Sequence, residues 1–156
     1  EVLEILIPIA DVHFVYCPSN HDYTNGFFLC QSVEQYFRQN KNITFDCSIA
    51  HRKYFVYGLN LLGFTHGDGA KHADLPLLMA HESPEWSVSK HRYIFCHHVH
   101  HRTAKDYMSV SVETMRSPSG TDSWHHIKGY QHAPKAVEGF LHHKMFGQVA
   151  KVSHLF

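Results

Sequence analysis

The chain has 156 residues, with 14 Lys plus Arg balanced by 14 Asp plus Glu, so its formal net charge is +0 with histidine neutral. That balance excludes a globally basic surface for nucleic acid or membrane, and the length suffices to bury a core without disulfides or a structural metal. No stretch reaches the roughly 18 apolar residues of a membrane span, and no signal-like segment opens the chain, so a cytoplasmic protein of one domain is expected.

Residues 2 to 7 carry Val2, Leu3, Ile5 and Leu6 at helical spacing, and Pro8 should end that helix. Val12 to Cys17 reads as a short buried strand that opens into the turn "PSNHD". From Gly26, the run "FFLCQSVEQYFRQN" predicts an amphipathic helix with Phe28, Leu29, Val33, Tyr36 and Phe37 on its packed face. Ile43 to Phe45 is a strand. "RKYFVYG" and "NLLGFTHGDG" form two more, joined as a hairpin around Gly58-Leu59-Asn60.

Asp74 to Ala80 predicts a short helix, and Tyr93 to Cys96 a buried strand that ends in "HHVHHR". "YMSVSVETM" alternates like a half-exposed antiparallel strand. Asp122 is placed to cap a short helix around Trp124. Pro134 sits where a first-turn proline would, ahead of "KAVEGFLHHKMFG", with Gly147 as the stop of that helix. "QVAKVSHLF" reads as a last strand. His125, His126, His142 and His143 are then surface helix residues, and Trp124 and Tyr130 ordinary buried aromatics.

Cys17, Cys30, Cys47 and Cys96 never approach a C-x-x-C spacing, and each lies in an apolar or strand-like context. They are expected to be reduced, mostly buried thiols of a cytosolic protein. Histidine is the compositional outlier, with 17 residues. Neutral imidazole is the commonest transition-metal ligand. Three strands end in polar, histidine-bearing turns, "SNHD", "THGD" and "HHVHH", and in α/β sheets ligands gather beyond the carboxyl ends of strands. A plain Asx turn at Asn20 to Asp22, a loop histidine at His66 and a solvated cluster at His98 and His100 are the alternatives. The spacing of His98 and His100 places both on one side if strand geometry persists.

Taken in order, S-N-H-D at 19 to 22, H-G-D at 66 to 68 and H-H-V-H at 97 to 100 resemble the C-terminal motifs of the calcineurin-like metallophosphoesterases. The resemblance spans about residues 12 to 115. It implies a mixed α/β fold, a β-sandwich flanked by helices, incomplete at the N-terminus, with residues 1–156 forming the C-terminal portion of one such domain. It implies two divalent ions, Mn, Fe or Zn, with Asn20, His66 and His98 on one and His100 on the other, and His21 as the catalytic histidine that meets the phosphate. Two ions of that kind polarise a phosphoryl oxygen and activate a bridging water for in-line attack. The implied activity is hydrolysis of a phosphomonoester or phosphodiester, with a phosphorylated small molecule or a phosphodiester as partner and no stripe that supports nucleic acid.

The family's upstream D-x-H and G-D-x-x-D, which supply the bridging aspartate, have no counterpart before Asn20. "DVH" at 11 to 13 enters a strand instead of leaving one, so the chain reads as the C-terminal half to two-thirds of such an enzyme. The missing motifs support a second reading, a non-catalytic metal-binding or interaction domain. A structural zinc site is a third, which the cysteine spacing does not favour. Ser19 and His97 stand where the family has glycine.

Overall fold

A computed structural model of the chain describes residues 1–120, 123–127, 129 and 132–156. Asp122 and Tyr130, and the side chains of Trp124 and His125, lie outside the described residues. The chain forms two compact units, Glu1–Lys53 and Tyr54–Phe156. Its secondary structure is mixed α/β, and no helix among the described residues is long and apolar enough to cross a membrane.

In the first unit, helix α1 (Val2–Leu6) stops ahead of Pro8, as the sequence predicts. Strand β1 (Val12–Val15), helix α2 (Tyr23–Phe37) and strand β2 (Ile43–Asp46) form a β-α-β unit in which the two strands run parallel. Ile7, Phe37 and Ile43 are its core, with Leu3, Val12, Phe14, Val33 and Phe45 packed against them. Helix α2 begins before Gly26 and buries Gly26, Cys30 and Phe37. Phe28, Leu29 and Tyr36, expected on the packed face, are 61%, 65% and 72% exposed. The helix has apolar residues on more than one side, and two local constraints fix its rotation. A Cβ at Gly26 would fall 3.0 Å from the Tyr16 hydroxyl, and Cys30 is bonded to Cys47 just beyond β2.

That disulfide corrects the expectation of four reduced thiols. Cys17 and Cys96 are the free cysteines. Burial pushes the Cys17 thiol up to about 11 and the Cys96 thiol up to about 12, so neither is a ready nucleophile. Beside Cys17, the buried Lys53 ammonium donates to the Asp46 carboxylate at 2.8 Å and to its carbonyl at 2.9 Å.

The second unit is built on a five-stranded sheet of order β3-β4-β5-β7-β6. Its strands are β3 (Arg52–Tyr57), within which the chain divides, β4 (Asn60–Thr65), β5 (His91–Cys96), β6 (Thr103–Tyr107) and β7 (Val110–Thr114). β4, β5 and β7 run parallel, and β6 returns antiparallel at the edge. One sheet face presents Leu61, Ile94, Cys96, Val110 and Val112 to Leu75 and Met79 of helix α3 (Leu75–Glu82). A Cβ at Gly63 would fall 2.8 Å from the Met79 methyl, so a larger residue there would make the flexible Met79 side chain shift.

The other face is covered by a hairpin of β8 (Ala136–His143) and β9 (Gly147–Leu155). Phe140 packs on Phe95 with ring centroids 4.6 Å apart, and His142 meets Tyr93 edge-on at 4.8 Å. The helix predicted after Pro134 is therefore a strand, and Gly147, at φ +81, opens the next strand instead of closing a helix. His142 and His143 are strand residues accordingly, while the predicted helix around Trp124 is α4 (Ser123–Ile127). β7 is more buried than its alternation suggests, because it lies inside the sheet between β5 and β6. β6, with sequence "TAKDY", carries no apolar signal and was not foreseen.

At the N-terminal ends of β4 and β5 the loops are knitted to the β8–β9 turn. Leu59 N–H donates to Lys144 O at 2.7 Å, and the fully buried Asn60 amide donates to Tyr57 O at 2.7 Å and His143 O at 3.0 Å. Gly58, at φ +60, and Gly147 each leave no room for a Cβ, against Lys144 and against Tyr93 and His91 respectively.

Candidate metal centre

The histidines of interest lie at the other ends of those strands. β4 and β5 are parallel and adjacent, so the residues that follow them emerge side by side, and His97 N–H donates to His66 O at 2.9 Å. That main-chain bond carries the pairing one step past the sheet and sets the two loops in register. Gly67 follows at φ +104, where a Cβ would also press on the Cys96 Cβ at 3.3 Å. The glycine of "HGD" thus has a steric cause: it lets the chain turn away immediately after His66.

After Cys96 the strand does not persist. His98 and His100 both take left-handed backbone, at φ 58 and φ 57. The alternation argument for one shared side therefore fails, and turn geometry directs these rings instead. Left-handed backbone in a non-glycine residue costs about 1–2 kcal/mol, and such strain gathers where a surrounding structure holds it for function. Ser19 and His97 have no positive φ, so neither position requires glycine on that ground.

Within the group of histidines that could hold a metal ion, His66 and His98 bring ring nitrogens Nε2 and Nδ1 to 3.3 Å from each other. The rings meet edge-on, with centroids 5.1 Å apart. Two nitrogens, each about 2.0–2.1 Å from one tetrahedral Zn²⁺, stand about 3.3 Å apart. An N–H···N bond at this length would be a long one. The pair therefore fits a divalent ion, and the structure brings together two of the histidines that the sequence marks. His100 lies two residues further along the same loop.

Asn20 and His21 belong to the first unit, in the turn after β1. There the Ser19 hydroxyl accepts from the His21 N–H at 3.1 Å, and Asp22 occupies the N-cap position of α2 without a side-chain cap bond among the described residues. Both Asn20 and His21 are exposed. The turn thus carries a serine side-chain bond of the kind that favours turns.

The loop from 97 to 102 is tethered to β7. Thr114 Oγ1 donates to His101 O and accepts from Thr103 N–H, both at 2.8 Å. Behind the loop lies an ionic cluster. Arg102 Nε donates to Glu113 Oε1 at 3.1 Å, Lys151 bridges Glu113 and Glu138, and Arg116 donates to Glu138 Oε1 at 3.2 Å. Glu138 Oε2 is buried with no hydrogen-bond partner among the described residues. The sequence reading passed over Glu113, Arg116, Glu138 and Lys151. Alternation hides Glu113, because in "SVSVETM" it falls in step with Ser109 and Ser111 on the polar side of the strand.

No protein family matches the chain, and no curated protein matches it.

Proposed function

We propose that the protein is a metal-dependent phosphoesterase that hydrolyses a phosphomonoester or phosphodiester. The observation that carries this reading is the 3.3 Å approach of His66 Nε2 to His98 Nδ1, which matches the bite of two imidazoles on one ion, at the carboxyl ends of parallel strands. His66 and His98 donate neutral nitrogens, a set that suits Mn, Fe or Zn better than Ca. The motif resemblance adds the Asn20 oxygen to that ion, His100 to a second ion, and His21 as the imidazole that protonates the leaving oxygen. When bound, such ions polarise the phosphoryl group and lower the pKa of water. The metallophosphoesterase sandwich belongs to the same proposal.

Hydrolysis of bis(p-nitrophenyl) phosphate with added Mn²⁺ tests the reading. Ala at His98 or Asn20 is expected to abolish it, and an unchanged rate would show that the site is wrongly assigned.

A non-catalytic metal-binding domain is the second reading, and a specific observation favours it. Among the described residues, the group that could hold a metal ion and includes His66 and His98 consists of histidines. Without a carboxylate between them, two ions repel and the second is weakly held. Calorimetry with Mn²⁺ separates the two: two tight ions per chain support the enzyme, one supports the binding domain. Cytoplasmic residence, expected from cysteine spacing, is weighed against by the Cys30–Cys47 bond, because disulfides persist mainly in oxidising compartments.

A further inference from the structure

We propose that Arg102 receives the phosphoryl-bearing, anionic part of the ligand at the His66–His98 centre, and that Glu113 positions it. The inference rests on the phosphoesterase reading of that centre and adds a residue to it.

Arg102, Arg116 and Lys151 surround Glu113 and Glu138, so three cations meet two carboxylates. Among the described residues, one positive charge is left over. Arg116 and Lys151 are 23% and 14% exposed at the side chain, whereas Arg102 is 44% exposed. The surplus therefore faces water at Arg102, two residues beyond His100.

Hydrogen bonding gives the same residue. A guanidinium has five N–H donors, and among the described residues Arg102 uses Nε on Glu113 Oε1. Its terminal nitrogens are left for a planar, bidentate acceptor, the geometry that phosphate offers. Lys151 also contacts Glu113, so that carboxylate orients Arg102 without cancelling its charge.

The backbone around Arg102 is fixed as well. Its two neighbours, His101 through its carbonyl and Thr103 through its N–H, are both bound to Thr114 Oγ1. A guanidinium steered by a buried carboxylate, on a backbone pinned at both sides, is pre-organised and loses little freedom when an anion arrives.

The test is calorimetric titration of inorganic phosphate into the whole chain, first without metal and then with Mn²⁺. Arg102→Gln is expected to weaken phosphate binding at least about 10-fold under both conditions, the scale of a charged hydrogen bond. Arg102→Lys should recover part of the loss, because it keeps the charge and gives up the fork. Mn²⁺ affinity should stay unchanged in both variants. Equal phosphate affinity in the wild type and Arg102→Gln overturns the inference, as does a wild type that binds no phosphate. If the chain takes up no Mn²⁺, the phosphoesterase reading fails instead, and the metal-free comparison still decides the role of Arg102.

Discussion

His66 and His98 are 32 residues apart in sequence, yet their ring nitrogens approach to 3.3 Å because β4 and β5 are parallel neighbours and His97 N–H is bonded to His66 O. If this pair is the core of a metal centre, removal of either ring should lower affinity more than removal of an outer-shell partner, which typically costs 10–100-fold. His66→Ala and His98→Ala are each expected to reduce Mn²⁺ or Zn²⁺ affinity at least about 100-fold. Calorimetry on the folded variants checks this, and retained affinity in both would leave the pair as a hydrogen bond.

Gly67→Ala should be costly in a way that ordinary loop glycines are not. The new methyl must adopt φ +104 and stand 3.3 Å from the Cys96 Cβ. A loss of about 1–2 kcal/mol in urea unfolding is expected from the backbone alone. Metal affinity should fall with it, since His66 is the preceding residue.

The His142 ring has both nitrogens buried without a hydrogen-bond partner among the described residues, and lies against Tyr93 and Phe95. Burial holds its pKa below the ordinary imidazole value. A group with a depressed folded pKa contributes its stability in full above its unfolded pKa, about 6.5, and loses it as pH falls through the folded value. The wild type should therefore lose stability on acidification below about pH 6.5. His142→Phe fills a similar volume without the stranded donor, and should be about 1 kcal/mol more stable at pH 7. Denaturant melts between pH 5 and 8 should show a flatter profile for the variant. An identical slope would remove His142 from the account.

The disulfide predicts a thiol count. Of the four cysteines, Cys17 and Cys96 should react after denaturation without reductant, and all four after reduction. Cys30 and Cys47 enclose a sequence separation of 17, for which cross-linking contributes roughly 3 kcal/mol. Reduction should thus destabilise residues 1–53 selectively, as read by hydrogen exchange in α2 and β2.

Much of the fold was legible where one physical signal acted alone. β1, β2, β4 and β5 are short apolar runs that end at turn residues, and each lies where that pattern puts it. Residues 136–143 were not legible, because the strand's inward positions include Glu138 and His142 while Val137 and Leu141 point outward. Its alternation is real in burial and hidden in hydropathy, since an ionic cluster and an aromatic pocket take the place of an apolar core. β6 was missed for the related reason that an exposed edge strand needs no apolar residues. The α2 face was misjudged because a covalent bond through Cys30, absent from any periodicity, helps fix the helix rotation. In the site, the histidine types and their order were readable. The left-handed turn at His98 and His100 was not, because neither residue type advertises it.

The two ends of β4 and β5 obey different rules. At one end, Gly58, Asn60 and Gly147 hold backbone against backbone so closely that almost any enlargement is refused. At the other, His66 to Asp68 and the 97–102 loop are held by a main-chain link and by hydrogen bonds to one threonine hydroxyl. Sequence drift is thereby channelled toward the histidine end. Side chains can be exchanged there one by one, while the tightly closed end keeps the sheet assembled.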